Sequence, residues 1–157
     1  MDKGTVYFFT GLSGAGKTTL GSLFCQRLRR TKPNVVYLDG DEIRVAFGED
    51  VGYTQSERLR WAGRIFRVCK LLSDQGVDVV CCSIAMYRQV REWNRANLPS
   101  YREIYVKVRP ETLLARNTAF LMSMIFQERP LFHLTPTTEA VFPTPSVPFR
   151  NWSRTQR

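Results

Sequence analysis

The stretch Gly11-Leu12-Ser13-Gly14-Ala15-Gly16-Lys17-Thr18, with Thr19 behind it, has the spacing G-x-x-x-x-G-K-S/T. Glycines let a backbone turn its N–H groups toward a phosphate chain, where side chains would block the approach. A helix that follows adds its positive N-terminal end. Lys17 is then placed to reach β- and γ-phosphates, and the Thr18 hydroxyl to bind Mg²⁺. The alternative is a Gly-rich strand-to-helix turn without a ligand, and the full match between a strand and a helix weighs against it. The loop points to ATP or another nucleotide and leaves the reaction open, because kinases, GTPases and ATPases share it. The small chain favours a small-molecule kinase over a motor.

A second group lies at Asp39-Gly40-Asp41, just after the apolar run Val35-Val36-Tyr37-Leu38. In an open α/β sheet, ligands sit at the carboxyl ends of the strands. Two carboxylates at that edge can hold Mg²⁺ through water, or accept a proton from an attacking hydroxyl. They can equally form an Asx turn and cap a helix through Glu42-Ile43-Arg44.

The elements around these residues alternate. Val6–Phe9 is a short β-favouring run that ends at Gly11. From Lys17 to about Arg30, Leu20, Leu23, Phe24 and Leu28 recur at helical spacing. Val35–Leu38 reads as a second strand. Thr54 with Glu57 forms a capping box for a helix carrying Leu59, Ile65, Phe66, Cys69 and Leu72, and Gly76 ends it. Val77–Ile84 is apolar throughout, as a strand buried on both faces should be. Gln89–Asn97 reads as a helix, Ile104–Val108 as a strand, and Glu111–Arg116 as the start of another helix. This order predicts an α/β fold, a three-layer αβα arrangement on a mostly parallel sheet of four to five strands. From residue 118 onward these periods are lost and prolines concentrate.

Length and composition set the frame. A chain of 157 residues predicts a single domain, residues 1–157, able to bury a core without staples. There are 23 basic and 14 acidic residues, a formal net charge of +9. Arginine dominates the basic residues and suits forked contact with phosphate or sulfate. The charge is spread along the chain with no dense tract, so neither nucleic acid nor a membrane is an expected partner. No apolar run approaches the ~20 residues of a membrane span. Cys25, Cys69, Cys81 and Cys82 lack C-x-x-C spacing, and His133 is the sole histidine, so a zinc site is not expected. Buried reduced thiols and the lack of an export signal point to the cytoplasm.

Taken together these residues resemble the adenylyl-sulfate kinases, which phosphorylate the 3′-hydroxyl of adenosine 5′-phosphosulfate. Gly11 to Thr19 matches that family's G-L-S-G-A/S-G-K-S/T-T loop throughout. Asp39, Gly40, Asp41 and Arg44 match D-G-D-x-x-R, and Val51 to Arg58 matches L-G-F/Y-S/T-x-x-D/E-R in part. Lys70-Leu71-Leu72 with Gly76 and Val79, then Tyr87-Arg88 and Arg91, match two further segments. The similarity covers roughly residues 4–117. It implies ATP and Mg²⁺ as cofactors, with Thr18 and Asp39 at the metal. Lys17, Asp39 and Asp41 would carry catalysis. Arg44 and Arg58 would grip the phosphosulfate end of the acceptor, Tyr53 would stack on its base, and Ile84 would line its pocket. Arg116 would pack on the ATP adenine. A homodimer is a further expectation.

The chain also departs from the family pattern. The serine of I-S-P-Y is Ala85, and the asparagine of D-R-x-x-N is Trp61. After Asn117 the family's lid sequence is not recognisable, although Phe142 to Pro148 resumes its proline spacing. Residues 118–157 are therefore expected to be a divergent lid and shortened C-terminal region, through a shifted reading frame or decay. These departures keep two alternatives in view. One is a kinase of a related activated nucleotide such as cytidine diphosphoramidate, and the other is a catalytically impaired ATP-binding homologue.

Overall fold

The structure, a computed structural model, describes residues 2–48, 52 and 54–115. Its elements are β1 (Val6–Thr10), α1 (Lys17–Leu28), β2 (Val35–Asp39), α2 (Gly40–Ala46), α3 (Gln55–Asp74), β3 (Asp78–Cys82), α4 (Arg88–Asn97), β4 (Tyr101–Tyr105) and α5 (Pro110–Ala115). The described strands form one parallel sheet in the order β2-β3-β1-β4.

Alternation along the strands splits the core in two. Val6, Phe8, Val79 and Cys81 point to one face, where Ala62, Ile65, Phe66 and Cys69 of α3 and Val90 of α4 pack on them. Phe9, Val80 and Cys82 point to the other, against Cys25 of α1 and Leu113 of α5. The three-layer αβα arrangement is thus built from the period-2 pattern of the central strands. Phe8 meets Phe66 edge-on with ring centroids 4.8 Å apart, and truncating Phe66 to Ala would cost about 3–5 kcal/mol.

Thr54 caps α3 as expected: its hydroxyl accepts from the Glu57 N–H, and the Glu57 side chain reaches back to the Thr54 N–H. One helix face and two strand boundaries differ from the expectation. Helix α1 turns Leu23 outward, 58% exposed, and buries Gly21 and Cys25 instead. Strand β3 is shorter than Val77–Ile84, because Val77 still bonds back to the helix end at Leu72. Strand β4 starts at Tyr101 rather than Ile104, since Val6 N–H donates to Ser100 O and pairs the register from Tyr101. Its polar Arg102 and Glu103 disguised it. The Glu103 carboxylate is tied to Arg91 and Arg95 of α4, at 2.6 and 3.4 Å.

No helix among the described residues is long and apolar enough to cross a membrane. Cys25, Cys69, Cys81 and Cys82 are all free and buried.

Candidate active site

The Gly11–Thr18 loop joins β1 to α1. Gly16 stands at the helix N-cap with φ 94°, a left-handed conformation that a side chain would strain. The first turn of α1 carries no acidic residue of its own, which suits its positive end to an anion. The Lys17 ammonium is folded back over the loop and donates to Leu12 O at 2.8 Å. Lys17 is buried, and this burial holds its pKa below the ordinary lysine value, while Cys82, Asp41 and Asp39 pull the other way.

Thr18, one residue further along, is exposed. Its hydroxyl donates to Asp39 Oδ2 at 2.9 Å, which joins the phosphate loop to the end of β2. The other oxygen, Asp39 Oδ1, accepts from the Asp41 N–H at 3.0 Å and caps α2. The expected turn and helix cap thus use one Asp39 oxygen, and the other faces Thr18. Asp39 is buried, whereas Asp41 is exposed at the first turn of α2. A hydroxyl and a carboxylate oxygen are the hard donors that Mg²⁺ takes when phosphates and water complete its shell. The pair therefore fits a cation, and no cluster of three or more His, Cys, Asp or Glu competes for one among the described residues.

Two supporting residues were not singled out from the sequence. The Tyr37 hydroxyl lies 3.3 Å from Asp39 Oδ2 and 3.3 Å from Thr18 O. Its pKa is raised, first by burial and then by Cys82 and Asp39, so it stays a donor. The Cys82 thiol donates to Lys17 O at 3.4 Å, and burial pushes its pKa up to about 11. Tyr37 could have been found, because it shares a strand face with Asp39 two residues on. Cys82 could not, because it reaches this place through the β2–β3 register that sets it opposite Asp39.

Arg44 is half-buried on α2 and donates to Gly52 O at 2.9 Å; Arg58 is half-buried on α3. Ile84, 43% exposed, follows the end of β3, while Ala85 is buried in the same cluster as Ile43 and Trp61. The structure thus brings Lys17, Thr18, Asp39 and Asp41 to one sheet edge. Tyr53 and Arg116 lie outside the described residues, as does the 118–157 segment.

The family profile described as adenylylsulphate kinase matches residues 3–124. The chain is similar to a cytidine diphosphoramidate kinase of Campylobacter jejuni, 35% identical over 71% of this chain and 65% of that one. It is also similar to a probable adenylyl-sulfate kinase of Aeropyrum pernix, 36% identical over 74% of this chain and 66% of that one. The chain thus spans just under two thirds of the length of these two relatives. Among solved structures it resembles the hexameric APS kinase of Thiobacillus denitrificans, with a TM-score of 0.62 and 33% identity over 69% of this chain and 24% of that one.

Proposed function

The chain belongs to the adenylylsulphate kinase family, and from that premise we propose that it transfers the γ-phosphoryl group of ATP to the 3′-hydroxyl of adenosine 5′-phosphosulfate. The products are ADP and 3′-phosphoadenosine 5′-phosphosulfate. The observation that carries this reading is the 2.9 Å contact between Thr18 and Asp39, which ties the phosphate loop to the turn after β2.

In this reading the backbone of Gly11 to Thr19 cradles the triphosphate, and Lys17 faces the β- and γ-phosphates. Thr18 and Asp39 would hold Mg²⁺, which would neutralise charge on the phosphate oxygens. Asp41 accepts the proton of the acceptor hydroxyl as that oxygen bonds to the γ-phosphorus and the bond to the bridging oxygen of ADP breaks. Arg44 and Arg58 grip the acceptor's anion, Tyr53 stacks on its base, Ile84 lines the acceptor pocket, and Arg116 packs on the ATP adenine. Catalysis is then mostly positioning and electrostatics. Residues 1–157 are taken as one domain, with residues 1–117 its core. The setting is taken as cytoplasmic, with nucleotides rather than nucleic acid or membrane as partners, and a homodimer as the assembly to test.

A second reading makes cytidine diphosphoramidate the acceptor. It is favoured by the similarity to the Campylobacter jejuni enzyme and by Ala85 at the family's serine position. A phosphoryl-transfer assay with ATP and both acceptors decides between them. Wild type runs beside Lys17→Ala and Asp41→Asn, and both variants should lose turnover while staying folded. Product from the cytidine compound alone would overturn the first reading. ATP binding without transfer to either acceptor would mark an impaired homologue.

A further inference from the structure

Two helices each carry an arginine followed three residues later by a large aromatic: Arg44 then Phe47 at the end of α2, and Arg58 then Trp61 in α3. Residues three apart on a helix share a face. Phe47, the C-cap of α2, keeps a near-helical backbone with φ −90° and ψ 0°, so the row Asp41, Arg44, Phe47 continues to its end. The two rows meet at their aromatic members. The rings of Phe47 and Trp61 stand edge to face, 5.8 Å between centroids and 76° between planes. Their burial is unequal: Trp61 is 8% exposed and belongs to the core with Ile43 and Ala85, whereas Phe47 is 60% exposed.

An open phenyl ring on a fixed indole leaves apolar area in water, which is unfavourable unless something covers it. The rows that end in these rings begin with groups suited to an anion and a hydroxyl. We propose that Phe47, held by Trp61, contacts the acceptor's base, and that the pair makes acceptor choice depend on the anion rather than on which base is present. This rests on the assignment of Arg44 and Arg58 to the acceptor anion. The occupant is thus a nucleoside carrying a compact 5′-anion. Strict base selection needs donors and acceptors fixed against the edge of one base. An aromatic face accepts any base, because every base has a π-face. Phe47 touches the ligand; Trp61 is a positioning residue that acts through it. The pair adds to the base contact that the family resemblance assigns to Tyr53.

The test is acceptor binding by calorimetry, with the chain saturated by a non-hydrolysable ATP analogue. The probes are the 5′-phosphosulfates of adenosine, guanosine, cytidine and uridine. Wild type should bind all four with Kd values within about tenfold of one another. Phe47→Ala should weaken all four by about tenfold and leave affinity for the ATP analogue unchanged. Phe47→Leu keeps apolar bulk at this exposed position without the π-face, and should fall between the two. Trp61→Phe retains an aromatic support and lacks the indole N–H, so it should bind like wild type, while Trp61→Asn should bind like Phe47→Ala. A preference of more than about a hundredfold for one base would overturn the proposal. So would unchanged binding in Phe47→Ala, equal losses in Trp61→Phe and Trp61→Asn, or no binding of any of the four. Binding of all four without phosphoryl transfer would reject the proposed activity and leave this inference standing.

Discussion

The Thr18 hydroxyl donates to Asp39 Oδ2 at 2.9 Å, across 21 residues of chain and from helix α1 to strand β2. The hydroxyl uses its proton in this contact and keeps both lone pairs as acceptors. Asp39→Asn places an amide in this contact and removes a charge next to the proposed metal position. ATP binding should then need about 10–100-fold more Mg²⁺, while binding in EDTA stays as in wild type. Tyr37→Phe should shift the Mg²⁺ requirement in the same direction by less. Calorimetric ATP titrations over a Mg²⁺ series check both, and an unshifted Asp39→Asn would reject the metal role.

Lys17→Met should abolish ATP binding without lowering thermal stability by more than a few degrees. The buried ammonium has a pKa below its ordinary 10.5, so the folded state gives up this proton more readily than the unfolded one. Its contribution is therefore unfavourable at neutral pH, and it is relieved as pH rises from the lowered value toward 10.5. Melting curves from pH 7 to 10 should show wild type gaining relative to Lys17→Met. A constant difference would contradict the desolvated lysine.

Gly21 is buried where α1 crosses the sheet, and a Cβ there would collide with Cys82 Sγ and touch Tyr37 and Phe9. Gly21→Ala should cost about 1–3 kcal/mol through overpacking. Cys82→Ala removes the colliding sulfur, so the double variant should recover most of that loss. Urea denaturation of the four species gives the coupling directly. Simple additivity would mean that α1 does not approach β3 this closely.

Thr54→Ala removes the α3 cap and should cost about 1 kcal/mol of stability. Its hydrogen bonds, first from the side chain and then from the backbone, hold Glu57 below its ordinary 4.5. A lowered carboxylate contributes stability above pH 4.5 and loses it as pH falls through the folded value. The gap between wild type and Thr54→Ala should therefore narrow below pH 4.5 in melting experiments. A gap independent of pH would remove Glu57 from the cap.

Much of the framework around the candidate site was legible in the sequence. Loop, capping box and apolar β3 are local patterns, and each depends on residues within a turn or a strand of one another. The reading failed where a residue's place depends on a distant partner. Strand β4 hid its polar residues, because Arg91 and Arg95 on α4 supply the charges that allow Glu103 to be buried. Leu23 fits a helical stripe, yet α1 packs through Gly21 and Cys25, because close approach to β3 selects small residues.

The sequence by itself determined the phosphate loop, the layer order and the residue types at the second strand's end, since spacing alone sets which backbone groups and faces are shared. Only the tertiary structure decided that the Asp39 oxygen not used in the cap holds Thr18, that Cys82 supports Lys17, and that Phe47 rests on Trp61. Those contacts join segments far apart in the chain, and sheet register and helix packing, not local spacing, bring their atoms within reach.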